Sequence, residues 1–152
     1  MHADRRTDEE EMPWPEGDIL LDLTISLIVS GSRSMPLPAR FIFDPQFPLA
    51  VVLEMPQADG SANRWSFGRD LLQAGLLRPS GEGDVRIWPP CRCSGRPHAR
   101  ILLRDAFASA LLDVPVQPLW QWLQHTWRVV PRQEEARWSD RHITIEKLLS
   151  DS

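Results

Sequence analysis

The chain has 152 residues, of which 42% are hydrophobic and 25% charged, and its formal net charge is −4. This size and composition predict one globular domain and exclude a wholly disordered chain, because enough apolar surface is present to offset the entropy cost of folding. No run of about 20 apolar residues occurs, so we expect no membrane-spanning helix, and the opening residues lack the apolar segment of a secretory signal. Two cysteines are too few for a disulfide-stapled secreted domain, and these absences together favour a cytoplasmic protein.

The first 17 residues form a segment of distinct composition. Residues 1–16 hold six acidic residues and two arginines, a net charge of −4, while the acidic and basic residues of the remaining chain cancel. Because charge runs of this kind are usually solvated, we predict a disordered acidic tail at residues 1–17. An arm that binds a partner is the alternative.

An alternation of apolar and polar residues begins at Asp18 and predicts one long half-buried strand. Its apolar members are Ile19, Leu21, Leu23, Ile25, Leu27 and Val29. Residues 31–38 are predicted as a turn, because Pro36 and Pro38 exclude a helix there. Phe41–Phe43 is predicted as a short second strand.

Two further strands are predicted on either side of a hairpin connection. Residues 49–55 alternate again, and a connection at 58–62 contains the turn pair Asp59-Gly60. The fourth strand covers 63–67, and its period of two places Trp65 and Phe67 on the same face.

A short helix is predicted after the fourth strand. Ser66 is a suitable N-cap, and Gly75 stands where a left-handed residue would end the helix. Leu71 and Leu72 would face the sheet. Residues 78–83 are predicted as a tight, glycine-rich loop.

The rest of the chain predicts three more strands and a longer helix. The strands cover 85–88, 98–103 and 107–112. A helix at about 116–127 is indicated by apolar or small residues that recur at i, i+3, i+4 and i+7, namely Leu119, Trp122, Leu123 and Thr126. Thr144 is a candidate cap for a short last helix. Together the elements predict an α+β domain, a mainly antiparallel sheet with two or three helices.

Two short motifs resemble ligand sites, but each lacks a part that its chemistry needs. Gly81-Glu82-Gly83 resembles the start of a dinucleotide fingerprint, yet Arg86 replaces the third glycine and no helix follows. Cys91, Cys93 and His98 offer three metal ligands, whereas a structural zinc site needs four. We therefore predict two reduced thiols, and we assign no catalytic residue, no cofactor and no metal.

An arginine-rich stretch lies within residues 85–104. It contains Trp88 and no acidic residue, and its arginines are Arg86, Arg92, Arg96, Arg100 and Arg104. Basic side chains beside an aromatic ring are typical of single-stranded nucleic-acid binding, through phosphate contacts and base stacking. The neutral body and the acidic tail argue against a strong electrostatic attraction, so nucleic-acid binding is kept as the alternative function.

Three tryptophans lie close together in the predicted longer helix: Trp120, Trp122 and Trp127. Residues two apart do not share one face of a helix, so Trp120 and Trp122 cannot both lie in one narrow seam. Some indole surface is therefore expected at the periphery, where tryptophan favours protein interfaces, and the three side chains are candidates for a partner surface. A wide arc facing the core is the alternative.

The block from Trp65 to Pro89 carries the most specific pattern in the chain. Its motif residues, which we assign as structural or interaction candidates, are Trp65, Phe67, Arg69, Asp70, Leu71, Leu72, Gly75, Pro79, Gly81, Gly83, Asp84, Trp88 and Pro89. Their types and order resemble the SsgA-like sporulation and cell-division proteins of filamentous actinobacteria. Further similarity at 34–39 and 110–113 extends the resemblance over a domain at 18–130, which leaves 131–152 as a C-terminal extension with a short helix.

The resemblance implies a non-enzymatic adaptor of sporulation-specific cell division. Members of this family bring the tubulin-like ring protein FtsZ to future septa, or place cell-wall synthesis and lysis. A strongly bent sheet with helices, similar to the Whirly single-strand-binding fold, is also implied, with subunits packed as a trimer. The expected partners are further copies of the chain, FtsZ or family paralogues, and the expected location is the cytoplasm at division septa.

Within this fold we expect Trp65 and Phe67 to anchor the short helix to the sheet. Asp70 at the helix start would suit the positive end of the helix dipole, and Arg69 could reach a partner carboxylate.

Overall fold

The computed structural model describes residues 17–57, 59–91, 97–132 and 134. In this part of the chain, eight strands form one antiparallel sheet and two helices pack on it. The elements are β1 (Ile19–Ser30), β2 (Arg33–Phe43), β3 (Ala50–Pro56), β4 (Ala62–Gly68), α1 (Arg69–Leu77), β5 (Ser80–Glu82), β6 (Val85–Trp88), β7 (His98–Arg104), β8 (Ser109–Pro115) and α2 (Val116–Val129). The predicted α+β class, with a strongly bent antiparallel sheet, is confirmed.

The chain enters the sheet at its centre and returns to it at the end. The strand order is β4-β3-β2-β1-β8-β7-β6-β5, so β1–β4 run outward to one edge and β5–β8 run back from the other. Helix α1 connects the two outer strands across the inner face. The sheet curls enough for these strands to approach each other, and a cleft of about 330 Å³ between them is lined by residues of both, among them Phe67 and Glu82.

Strand β2 is much longer than predicted. Its pairing with β1 extends from Ile19 opposite Phe43 to Ile28 opposite Ser34, so the prediction of a turn over 31–38 is wrong beyond its first two residues. Pro36 and Pro38 belong to this strand because β3 pairs with β2 only at 40–42. At the two prolines the other edge of β2 faces no described strand, and an open edge is where a sheet tolerates proline.

The boundaries of α1 also differ from prediction. Ser66 lies in β4, and the helix begins at Arg69 after Gly68, with no side-chain cap. Gly75 does not end the helix, because α1 continues to Leu77. A Cβ atom on Gly75 would lie 2.4 Å from the Cβ of Ile87, so this glycine allows α1 to approach β6. The predicted burial of Leu71 and Leu72 is confirmed.

The helices cover the inner face of the sheet and form the core with it. The stripe predicted on α2 is confirmed, since Leu119, Trp122, Leu123 and Thr126 are all buried. In β1 the inward residues 19–27 pack on or within this core, but Val29 is 62% exposed and lies where the pairing with β2 shifts register, between Ile28 and Ser30. The outer face of the sheet is uncovered in the described part of the chain.

Neither described helix is long and apolar enough to cross a membrane. The predicted tail at 1–17, apart from Gly17, and the short helix predicted from Thr144 lie outside the described residues. Residues 78–83, predicted as a loop, include the short strand β5, which pairs with β6.

Candidate functional site

Arg69 joins the start of α1 to the end of α2. Its side chain is wholly buried, and its Nη1 donates a hydrogen bond of 3.0 Å to the carbonyl oxygen of Thr126. The guanidinium lies 3.7 Å from the ring centre of Trp127 and 4.6 Å from that of Phe43. A planar cation suits this position because it stacks on aromatic faces and donates in fixed directions. Arg69 is therefore an internal residue of the fold, so it adds nothing to the exposed surface.

A second cation continues the same stack toward solvent. Arg132 lies 4.5 Å from the ring centre of Trp127, so this indole stands between two guanidinium groups. Arg132 also forms an exposed salt bridge with Asp70, in the first turn of α1. Trp127 Nε1 donates to Gln73 Oε1 at 3.0 Å. The adjacent motif residues Arg69 and Asp70 thus connect the start of α1 to the end of α2 and to the residues that follow it.

The three tryptophans of α2 occupy different environments. Trp122 is buried, its Nε1 donates to the carbonyl oxygen of Ile19 at 3.2 Å, and its ring centre lies 5.8 Å from that of Phe41. Trp122 is therefore a core residue, and its assignment to a partner surface is wrong. Trp120 and Trp127 are half-buried and pack against the core, so only their outer edges remain candidates for contact.

Trp65 and Phe67 lie on the inner side of β4, beside α1. Phe67 is buried, whereas Trp65 is half-buried and packs against the core from the edge of the sheet. The indole Nε1 of Trp65 is shielded from solvent and has no hydrogen-bond partner among the described residues. Both rings line the cleft between β4 and the β5–β6 hairpin, as the predicted anchoring role requires.

Replacing Trp65 with alanine is expected to lower the free energy of unfolding by about 2 kcal/mol, because a half-buried aromatic side chain loses part of its contact with the core. Urea titration followed by circular dichroism measures this loss. The neighbouring Ser66→Ala variant is the control, since Ser66 is exposed and should change stability by no more than about 0.5 kcal/mol. Equal stability of the two variants would contradict the anchoring role.

The remaining motif residues shape the β5–β6 hairpin. Pro79 precedes β5, Gly81 lies within it, and Gly83 and Asp84 form the turn to β6. Gly83 has a φ of +60°, a conformation that glycine adopts without steric cost. Because the glycines belong to a hairpin and no helix begins there, they do not form a phosphate-binding loop.

A groove of about 700 Å³ lies on the outer face of the sheet, where β6 ends. Its lining residues are Trp88, Pro89, Cys91, His98, Arg100, Leu111 and Asp113. Arg100 Nε lies 3.7 Å from Asp113 Oδ1, and His98 Nδ1 is shielded without a hydrogen-bond partner among the described residues. The groove therefore combines an aromatic ring, a cation and apolar surface, a composition that suits ligand binding.

The arginine-rich stretch contributes to this outer face. Arg86, Arg100 and Arg104 are exposed on β6 and β7, while Arg92 and Arg96 lie outside the described residues. Cys91 is disulfide-bonded, so the prediction of a reduced thiol is wrong there. No group of three His, Cys, Asp or Glu side chains suited to a metal ion occurs in the described part of the chain.

A row of alternating charges crosses the other half of the outer face. Strand pairing places Asp22 opposite Arg40, Arg40 opposite Glu54 and Glu54 opposite Arg64. Arg40 Nε donates to Asp22 Oδ1 at 2.6 Å, and Arg64 Nε lies 2.9 Å from Glu54 Oε2. The hydrogen bond from Arg40 lowers the pKa of Asp22 below its ordinary value.

An NMR pH titration that follows the carboxyl carbon of Asp22 tests this row of charges. We expect the pKa of Asp22 to lie below its ordinary value in the native chain and closer to that value in an Arg40→Ala variant. Because the folded-state pKa is lowered, the stabilising contribution of Asp22 is present above its ordinary pKa and is lost as the pH falls through the lowered one. Arg64→Ala, at the far end of the row, should leave the Asp22 titration unchanged. A midpoint unaffected by Arg40→Ala would disprove the pairing.

Known proteins resemble the chain across most of its length. The family model for the Streptomyces sporulation and cell division protein SsgA matches residues 37–135. The sporulation-specific cell division protein SsgB of Streptomyces coelicolor is 36% identical over 131 residues, which cover 86% of this chain and 95% of that protein. SsgB of Thermobifida fusca is 33% identical over 132 residues, with coverages of 87% and 95%.

Solved structures agree with these sequence matches. A structure from work on SsgB mutations that correlate to longitudinal cell division during sporulation of Streptomyces coelicolor has a TM-score of 0.74 at 36% identity, covering 80% of this chain and 95% of that one. The SsgA-like sporulation-specific cell division protein of Thermobifida fusca also gives 0.74, at 31% identity and coverages of 87% and 96%. With both helices and most of the sheet inside the matched residues, the chain belongs to the SsgA family of sporulation and cell division proteins.

Proposed function

We propose that this chain is a non-enzymatic adaptor that guides sporulation-specific cell division by recruiting FtsZ, or proteins of cell-wall remodelling, to septum sites. Its relatives are named sporulation-specific cell division proteins, which supports the process. The described contacts of the motif residues stabilise the fold: Arg69, in α1, donates a hydrogen bond to α2, and Gly75 lets α1 pack closely against β6. These residues therefore support a structural role for the motif, with partner binding elsewhere on the chain. An adaptor binds its partners through exposed side chains.

The observation that carries the proposal is the exposure of large apolar side chains at opposite ends of the sheet. Val29 and Met35, from the β1–β2 hairpin, lie at one end together with Phe107, which is 97% exposed. Leu20 and Leu49 are exposed at the other end. The first grouping follows from the antiparallel pairing of β1 with β8, which brings the β7–β8 turn beside the β1–β2 turn.

The two ends favour self-assembly. Two unlike apolar surfaces on one subunit suit head-to-tail contacts, and such contacts generate a closed ring when the rotation between subunits closes. We therefore propose a homo-oligomer, specifically a trimer, with FtsZ or a family paralogue as the further partner. Phe107 is held firmly for such a contact, since the Asp105 carboxylate accepts hydrogen bonds of 2.8 and 2.7 Å from the amides of Phe107 and Ala108.

Localisation in the sporulating organism tests the adaptor role. A fluorescently tagged copy is expected to lie in the cytoplasm at division septa together with FtsZ, and deletion of the gene should disturb sporulation septa. A Phe107→Ser copy should still fold, because that ring touches solvent, but should lose septal localisation. The matched control is Ser109→Ala, an exposed position in the neighbouring strand. Diffuse native protein with normal septa in the deletion strain would contradict the role.

Assembly is tested separately on the purified protein. Light scattering is expected to give about three times the subunit mass of 17.4 kDa for the native chain and a lower mass for Phe107→Ser. A native mass equal to one subunit would contradict the trimer without affecting the localisation experiment.

Single-stranded nucleic acid is a second candidate ligand, favoured by one observation. Trp88 pairs with Arg100 across β6 and β7, so a stacking ring and a phosphate-binding cation stand side by side in the outer groove. Fluorescence anisotropy with labelled oligonucleotides should then show an affinity that falls with salt and with Trp88→Ala. Absence of salt-dependent binding would exclude this function.

A further inference from the structure

Strand β4 ends the sheet on one side, and no described strand pairs with its free edge. Proteins commonly protect such edges with prolines, unpaired charges, bulges or very short strands. The opposite terminal strand, β5, has only three residues, and the free stretch of β2 carries Pro36 and Pro38. Strand β4, in contrast, has seven residues without a proline and pairs with β3 without a register shift, and its one charged side chain, Arg64, already lies 2.9 Å from Glu54. Of the two terminal strands, β4 is therefore the one that is long and regular enough to pair with a further strand.

The hydrogen-bond pattern identifies the backbone groups at this free edge. At one end of the β3–β4 ladder the Arg69 amide donates to the Leu49 carbonyl oxygen at 2.9 Å. At the other end the Gln57 amide donates to the Ser61 carbonyl oxygen at 2.8 Å. Because hydrogen-bonded pairs alternate along an antiparallel ladder, the odd-numbered residues of β4 bond to β3. The amides and carbonyls that point to the free edge are those of Ala62, Arg64 and Ser66.

The cleft between β4 and the β5–β6 hairpin adjoins this edge. One side of the cleft is lined by residues 65–68 and the other by 82–85. The two sides meet at Gly68, since a Cβ atom there would lie 3.9 Å from Glu82 Oε2. The indole Nε1 of Trp65, shielded from solvent, has no acceptor among the described residues. A strand added along the edge from Ala62 to Ser66 would therefore end beside Glu82, with alternate side chains next to Trp65.

The charge of the cleft indicates what kind of segment would bind there. Glu82 and Asp84 both line the cleft and are exposed, and neither forms an ion pair with a described residue. A cationic side chain between these carboxylates and an indole gains both charge-assisted hydrogen bonds and a cation–π contact. We propose that the free edge of β4 binds an extended segment of a partner protein as an additional antiparallel strand, with apolar residues against Trp65 and a basic residue beside Glu82. In this orientation the segment begins next to Glu82, so the basic residue belongs near its start.

Strand addition combines two sources of recognition. Backbone hydrogen bonds to the edge give affinity for any extended chain, whereas the side chains that enter the cleft give specificity. The use of this edge by a division partner rests on the proposed adaptor function, but the binding of a strand does not. Because the edge works through backbone groups of β4, its contacts are separate from those of Phe107, and a failure of one leaves the other standing.

An NMR titration of the full-length, ¹⁵N-labelled chain with the peptide acetyl-Lys-Val-Thr-Val-Thr-Val-amide tests the proposal. The peptide alternates apolar and polar residues and begins with a basic one. We expect the largest shift changes at the amides of Arg64 and Ser66 and at the indole N–H of Trp65, and slower hydrogen exchange of those two amides in the complex. The same peptide with glutamate in place of lysine should bind about fivefold more weakly, the effect of one exposed ion pair at its upper limit.

Ser66→Pro removes one N–H group from the free edge without touching the bonds to β3, so it should abolish binding of the lysine peptide. Ser66→Thr is the matched control, since it keeps that N–H group and should bind normally. Glu82→Gln/Asp84→Asn, which alters only exposed side chains, should bind both peptides equally, and circular dichroism establishes that each variant is folded. Absence of shift changes, changes centred elsewhere, equal binding by Ser66→Pro and Ser66→Thr, or equal affinity of the native chain for the two peptides would each overturn the proposal. Slow exchange of the Arg64 and Ser66 amides in the free protein would overturn it too, because the edge would then be already covered.

Discussion

Replacing Arg69 with alanine is expected to lower the free energy of unfolding by about 3–5 kcal/mol, the cost of emptying a buried site and leaving its polar partner unsatisfied. The substitution removes the hydrogen bond to Thr126 and the stacking on Trp127 and Phe43. Because these contacts join the start of α1 to the end of α2, both helices should loosen on the sheet. Denaturant unfolding measures the loss, and hydrogen exchange locates it.

Lysine is not expected to restore this stability. Arg69→Lys keeps the positive charge but replaces a planar, weakly hydrated cation by a compact, strongly hydrated one, which cannot stack on Trp127 and donate to Thr126 in the same way. We expect a loss close to that of the alanine variant.

Arg132 provides the matched control, because it stacks on the same indole from the solvent side. Its salt bridge with Asp70 is exposed on both partners, so Arg132→Ala should cost no more than about 1 kcal/mol. If Arg69→Ala and Arg132→Ala were equally stable, burial of the cation between the helices would have no energetic role.

Gly75→Ala is expected to destabilise the protein by about 1–3 kcal/mol, although alanine is the better helix former by about 1 kcal/mol. The added methyl group would lie 2.4 Å from the Cβ and 2.5 Å from the Cγ2 of Ile87, in the centre of the core. Neither atom is the end of a flexible side chain, so α1 or β6 must move to relieve the overlap. Thermal unfolding measures the effect.

Gly68→Ala is the matched control, because it replaces a glycine that has no close neighbour. A Cβ atom on Gly68 would meet Leu71 at 3.7 Å, an ordinary contact, and its φ of −64° suits any residue. We expect a change of no more than about 0.5 kcal/mol. A stabilised Gly75→Ala variant would contradict the packing role of Gly75.

The accuracy of the sequence-based prediction depends on how local each signal is. The period of two in β1 and the apolar stripe of α2 are properties of consecutive residues, and the structure confirms both elements. Pro36 and Gly75 misled the prediction because each has two structural uses. Proline breaks a helix but fits an open strand edge, and glycine ends helices but also admits a close neighbour. The position of β3 decides the role of Pro36, and the position of Ile87 decides the role of Gly75.

The candidate groove was predictable only where its residues lie close together in the sequence. Trp88 and Arg100 belong to the arginine-rich stretch of the sequence, and the structure places them side by side. A second hollow, of about 310 Å³, joins Arg100 and Asp113 to Arg33 through the pairing of β8 with β1, between residues far apart in the chain. No local pattern specifies that pairing. Burial of Arg69 was also beyond prediction, because its ring partners Phe43 and Trp127 come from distant elements.

The strand order has a consequence for how the protein folds. Each half of the sheet, β1–β4 and β5–β8, is a succession of strands that pair with their neighbours in sequence, so each can form early through local contacts. The seam between the halves consists of β1 and β8, with paired positions at Ser26–Asp113 and Leu27–Leu112. The β1–β8 pairing can form only after the whole intervening chain has been made. We therefore expect it to form late in folding. Until then, a newly made chain exposes the unpaired edges of β1 and β8.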